Sequence, residues 1–222
     1  MNIYAITQRV NIKIPSDITQ SELDILIAVY ETKKYKIAIC CNWAIEREEN
    51  KQITEQLKEK NIPFYFLSFA KTWTDLRKYV YYGVSDVFIS GELTYDLTEV
   101  KTFCVKHNVQ IRCFANIVQY EDYIQYLPDR EKNIFKGFFI RPDDIDKYGK
   151  YIDIIEFYDS EDRQNTLYDI YFHMKKWVGN LQEIVKGFEY SINNHYLFSD
   201  LFNRKIDCNM KCYKNSKCDF CT

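Results

Sequence analysis

Short apolar runs alternate with amphipathic ones through most of the chain, the pattern expected of repeated βα units laid around a parallel sheet. Strands are expected at 36–41, 62–69, 85–90, 109–115, 134–140 and 151–158. Helices are expected between them at 46–60, 73–82 and 95–108, where Leu97, Val100, Phe103, Cys104 and His107 recur at helical spacing. A short helical piece at 121–126 stops ahead of Pro128, and a turn with a brief helix occupies 142–147. A long helix at 163–178 places Leu167, Ile170, Tyr171, Met174 and Trp177 on one face, and 181–188 follows it closely. An edge strand at 2–14 and a helix at 19–30 precede the first unit.

Six consecutive units of short, near-uniform spacing fit a barrel-like or an open doubly wound sheet. A complete eight-stranded barrel takes about 250 residues, and this chain has 222. The expectation is therefore an α/β fold of incomplete or distorted TIM-barrel type over residues 1–192, with a small appendage at 193–222. A segment of that size buries too little apolar surface to stay folded alone, and a bound metal supplies the missing stability.

The appendage carries the most specific chemistry. Cys208, Cys212, Cys218 and Cys221 are separated by three, five and two residues, so the chain can turn back and bring four thiolates to one point. In a chain that reads as cytoplasmic, such a cluster points to a metal rather than a disulfide framework. Soft sulfur ligands select zinc or an iron-sulfur cluster and disfavour magnesium and calcium, and the spacing leaves those two open. His195 is the one histidine close enough in sequence to replace a thiolate. The other cysteines, Cys40, Cys41, Cys104 and Cys113, lie in apolar stretches and read as small buried hydrophobes. Cys41, at a strand end, is also the sole nucleophile candidate, and no histidine partner is evident for it.

Net charge is −2, which argues against a protein that coats nucleic acid with a basic surface. Only the tail is basic: Arg204, Lys205, Lys211, Lys214 and Lys217 outnumber Asp207 and Asp219. That excess either offsets the negative charge of a metal-thiolate site or faces phosphate. No apolar run of membrane-spanning length and no export leader is visible, so a cytoplasmic location without membrane insertion is expected. With only 6 glycines, and no Gly-rich phosphate loop or nucleophile elbow, the usual nucleotide-binding loops are not expected.

Parallel sheets place ligands outside the carboxyl ends of their strands. The residues there are Cys41, Asn42, Trp43, Ser68, Glu92, Asn116, Arg141, Glu156 and Asp159, with Arg163 opening the next helix. From this set Glu156, Arg141, Arg163, Asn116 and Glu92 are the candidate catalytic residues. The guanidinium groups suit planar recognition of carboxylate or phosphate, and Glu156 or Glu92 suits proton transfer. The structural alternative pairs Glu156 with Arg163 and uses Glu92 as a cap for the helix near Tyr95. Arg112 falls inside an apolar strand, where an unpaired charge is costly. It is either a strand-end residue or part of a polar interior.

Three stretches carry a family resemblance. Gly83-Val-Ser-Asp-Val-Phe-Ile-Ser-Gly-Glu-Leu93, followed by Asp96 and Leu97, resembles the "GADAVYIGGE" strand and helix of the collagenase-like peptidase family. Val109-Gln-Ile-Arg-Cys-Phe-Ala-Asn116 is similar to that family's next strand, which ends in Asn. Tyr151-Ile-Asp-Ile-Ile-Glu156, with Arg163 behind it, resembles a later strand, although the family's Gly-Arg pair after the Glu is replaced here by Phe157 and Tyr158. The resemblance spans about residues 35–178 and implies a barrel-like fold. Several relatives use a cysteine-bound iron-sulfur cluster to assist hydroxylation of RNA bases or of a quinone precursor. The functional expectation is thus a metal-binding enzyme modifying an RNA or small-molecule substrate. Its rivals are a zinc-folded knuckle docking on nucleic acid or protein through the basic tail, and a peptidase-like hydrolase.

Overall fold

The computed structural model describes residues 12–14, 18–33, 39–41, 48–66, 68–118, 138–174, 176–186 and 193–194. They build a mixed α/β arrangement. In chain order it runs β1 (Ile12–Ile14), α1 (Gln20–Lys33), β2 (Ile39–Cys41), α2 (Glu48–Glu59), β3 (Phe64–Phe66), α3 (Trp73–Tyr81) and β4 (Asp86–Phe88). A 3-10 turn (Gly91–Thr94) then leads to α4 (Leu97–Lys106) and β5 (Gln110–Phe114). After a second 3-10 turn (Pro142–Asp144) come α5 (Ile145–Tyr148), β6 (Ile154–Glu156), α6 (Glu161–Tyr168) and α7 (Leu181–Ile184).

Two three-stranded sheets form, ordered β1-β2-β3 and β4-β5-β6, and every neighbour pair is parallel. Parallel neighbours require a crossover, and the helices between strands supply it. The sheets meet along β3 and β4. Ser85 N–H donates to the Phe64 carbonyl at 2.8 Å, Ala70 N–H to Phe88 at 2.8 Å, and Ser90 N–H to Ala70 at 3.0 Å.

Three helix-to-strand links end alike. Asn61, Gly83 and Asn108 take left-handed φ values of 54°, 78° and 58° just after α2, α3 and α4. The following residue in each link reaches back five positions: Ile62 N–H to Leu57 O, Val84 N–H to Tyr79 O, and Val109 N–H to Cys104 O. This is the double-bonded helix stop in which an apolar residue follows the left-handed one and folds onto the helix. Ile62, Val84 and Val109 are all buried. Each stop thus sends the chain straight into the next strand. One core takes in Leu57, Leu76, Val100, Ile111, Cys113 and Ile155, joining helix faces to one face of the strands.

Several expectations change. Residues 138–140 form no regular strand; Ile140 N–H donates to the Ala115 carbonyl at 3.1 Å, and β5 pairs directly with β6. A full strand between those two would break that ladder. The helix expected at 163–178 starts at Glu161 and passes at Asp169–His173 into a wider π-type turn, closed by Met174 N–H to Asp169 O at 3.2 Å. The helix expected at 181–188 spans Leu181–Ile184. No described helix is long and apolar enough to cross a membrane. The segments expected at 2–11 and 121–126, and the appendage apart from Asn193 and Asn194, lie outside the described residues.

Candidate functional site at the carboxyl ends of the strands

Period-two alternation divides each strand between two faces. Phe64, Phe66, Val87, Ile111, Cys113 and Ile155 turn to the main core. Tyr65, Phe88, Arg112, Phe114 and Glu156 therefore turn the other way, as does Asp86. The register sets Phe88 beside Arg112 and Phe114 beside Glu156. Tyr65 and Phe88 pack edge to face at 5.7 Å, Phe88 and Phe114 stack at 4.9 Å and 17°, and Phe69 meets both phenylalanines edge-on.

Arg112 is the centre of this face. Its side chain is 0% exposed; Nε donates to Asp86 Oδ1 on β4, and Nη1 donates to Glu156 Oε1 on β6. The guanidinium carbon sits 4.0 Å above the Tyr65 ring, a cation-π contact strengthened by exclusion of water. Burial works to lower the Arg112 pKa, but the carboxylates of Asp86 and then Glu156 outweigh it, so the net shift is upward. Arg112 Nη2 has no hydrogen-bond partner among the described residues. Two carboxylates against one guanidinium leave the trio one negative charge in excess. Asp86 is 4% exposed and Glu156 15%, so Glu156 is the member that reaches the open, carboxyl end of the strands.

Beyond Glu156 the rim is polar. Asn116 accepts from Tyr158 N–H at 2.8 Å and donates to the Tyr158 carbonyl at 3.3 Å, so its amide extends the pairing of β5 with β6 by one more rung. Tyr158 is exposed and meets Phe114 edge-on at 5.8 Å, with Lys186 Nζ 4.9 Å from its ring centre. Asp159 lies 3.6 Å from Arg163 Nε and 3.5 Å from Lys186 Nζ. Lys186 is held there by its backbone, whose N–H donates to Asn116 O at 2.7 Å and whose carbonyl accepts from Val118 at 2.9 Å.

Of the five sequence candidates, Glu156, Asn116 and Arg163 thus border one region. Glu156 pairs with Arg112 rather than with Arg163, which pairs with Asp159 and donates to the Glu183 carbonyl at 2.6 Å. Arg141 is buried against Asp144, which it meets at 2.6 Å, and Asp144 also receives Lys147 Nζ at 3.0 Å. Glu92 caps a different helix from the one expected: its Oε1 accepts Trp73 N–H at 2.9 Å, at the first turn of α3. His107 packs on Phe103, and His173 pairs with Asp169 at 3.0 Å. Arg112, Asp86 and Lys186 are the residues that inspection of strand ends passes over. For the first two the signal is present: an acid at the head of one apolar strand, an arginine inside the next and an acid closing a third all share one parity.

Cys208, Cys212, Cys218 and Cys221 lie outside the described residues, as does His195. Among the described residues no group of three or more His, Cys, Asp or Glu side chains is placed to hold a metal. Cys104 is buried, and that burial pushes its thiol up to about 12, so it is inert as a nucleophile. No family model, no curated protein and no solved structure matches this chain.

Proposed function

We propose that this chain is a metal-binding enzyme of incomplete or distorted TIM-barrel type that modifies an RNA or small-molecule substrate at the carboxyl ends of its strands. The observation that carries the reading is Glu156: a carboxylate clamped by a fully buried arginine yet reaching the rim of an aromatic face. Polar groups held rigidly in a water-poor setting are what proton transfer requires, because their orientation is fixed before substrate arrives. In this reading Glu156 moves the proton. Phe114 and Tyr158 offer ring surfaces to a planar substrate, and Lys186 and Arg163, both ion-paired at the rim, face any attached phosphate.

Cys208, Cys212, Cys218 and Cys221 hold the metal. Four thiolates suit a tetrahedral zinc ion or an iron-sulfur cluster equally well. A cluster supplies one-electron chemistry, and zinc supplies folding alone.

Two measurements test the proposal. Anaerobically prepared protein should contain metal at its four thiolates, either iron with acid-labile sulfide, which is brown, or one zinc ion, which is colourless. Cells lacking the chain should lose one modified nucleoside or metabolite, restored by the unaltered chain and not by Glu156→Gln. Colourless protein holding zinc, together with full restoration by Glu156→Gln, would replace the enzyme with a zinc-folded docking element.

A further inference from the structure

We infer that Asp86, acting through Arg112, is a positioning group that sets how tightly Glu156 holds its proton. The inference rests on the reading of Glu156 as the proton-transfer group and adds what controls it. One guanidinium on the middle strand is shared between two carboxylates on the flanking strands. Asp86 heads β4 beside Gln110, and Glu156 closes β6 beside Phe114, so the arginine spans the face from its closed to its open end.

The two acids are not equivalent. Asp86 Oδ1 accepts from Arg112, while Oδ2 accepts the Ser85 hydroxyl at 2.8 Å. With its side chain 4% exposed and both oxygens engaged, Asp86 is held in place. Arg112 cannot swing away from either acid, because the Tyr65 ring lies 4.0 Å under its guanidinium and Tyr65 itself is buried. What varies is Glu156. It meets Arg112 from β5, with Asp86 of β4 on the same guanidinium and Tyr65 of β3 beneath it; the charged groups that follow it along the chain at the rim are Asp159 and its partners Lys186 and Arg163.

The signs follow from charge alone. A neighbouring cation favours the ionised carboxyl and a neighbouring anion opposes it. Asp86 draws part of the arginine's field to itself and adds its own repulsion, so it holds the proton affinity of Glu156 above what Arg112 alone would impose. The pair adjusts a proton-transfer group without touching substrate.

The test is a carboxyl-carbon NMR titration of protein labelled at glutamate, with Glu156→Gln identifying the resonance. Asp86→Asn keeps the shape and removes the charge, and should move the Glu156 midpoint down by about one pH unit. Arg112→Met should move it up by about two. In the unaltered protein the Arg112 Nε resonance should shift with the Glu156 midpoint, a readout that survives if either variant fails to fold. A Glu156 midpoint indifferent to Asp86→Asn, or an Arg112 Nε signal that ignores Glu156, overturns the inference. If the titrations behave as stated while Glu156→Gln still restores the missing product, the coupling stands and the enzymatic reading falls.

Discussion

Arg141 and Arg163 show how far two residues of one type can diverge once burial is known. The sequence pattern puts both near strand ends, and both pair with an aspartate three or four positions on or back. Arg141 is 3% exposed beside a carboxylate that is equally buried, whereas the Arg163 side chain is 57% exposed. Removing Arg141 leaves the buried Asp144 carboxylate with only the part-exposed Lys147 as its ionic partner, while an exposed pair is screened by water in any case. Arg141→Ala should therefore lower unfolding stability by roughly 3 kcal/mol. Arg163→Ala should cost about 0.5 kcal/mol or less. Urea denaturation of the two variants side by side checks the contrast, and equal losses would contradict it. The sequence could offer both arginines as candidates because position after a strand is visible in it. It could not rank them, because burial of Arg141 depends on Asp144 and on the turn that folds it back. Arg112 is the opposite case. Its oddity inside an apolar strand was legible, and its partners were not, since Asp86 and Glu156 lie 26 and 44 residues away and only the parallel register brings them together.

At the scale of elements, α3 shows what local sequence does and does not determine. Thr72 and Asp75 form a reciprocal capping box, with Thr72 Oγ1 accepting Asp75 N–H and Asp75 Oδ2 accepting Thr72 N–H at 3.0 Å. That motif can be read four residues at a time. The third device is non-local: Glu92 Oε1 takes Trp73 N–H across 19 residues. A carboxylate at a helix N-terminus satisfies an orphan donor and meets the positive end of the helix dipole. Glu92→Ala should cost about 1 kcal/mol, and Glu92→Gln, which keeps an acceptor and loses the charge, about half of that or less. Thermal melts of the two variants separate these effects. An activity loss in Glu92→Gln without any change in melting would instead return Glu92 to the catalytic set. The strand and helix pattern through residues 48–114 was legible because apolar periodicity and the stops at Asn61, Gly83 and Asn108 reinforce each other there. Past Ile140 the guides conflict. An apolar run at 134–140 reads as a strand, yet β5 already has both edges filled by β4 and β6.

For the whole molecule, the question is whether the cysteine segment and the α/β body stand or fall together. The body has its own core and needs no metal to bury it. The segment after Asn194 carries four cysteines within 28 residues. Asn194 itself is fixed to the body: its N–H donates to Gly179 O at 2.8 Å and its amide nitrogen to Asp143 Oδ2 and Trp177 O, each at 3.0 Å. On the proposed metal-binding reading, folding of the segment is a local event driven by metal on an anchored chain. A structural four-thiolate site binds zinc with about 12 kcal/mol, so losing one ligand of four removes roughly 3 kcal/mol, about a hundredfold in affinity. Cys218→Ser should lose its metal to a chelator that leaves the unaltered chain loaded, and trypsin should then cut at the lysines between Cys208 and Cys221. The body should keep its circular dichroism and its own melting transition, because none of the four proposed ligands belongs to its core. Retention of metal and trypsin resistance by Cys218→Ser would show that the four sulfurs do not share a centre. Melting of the body together with the segment would show instead that the metal stabilises the core from outside it.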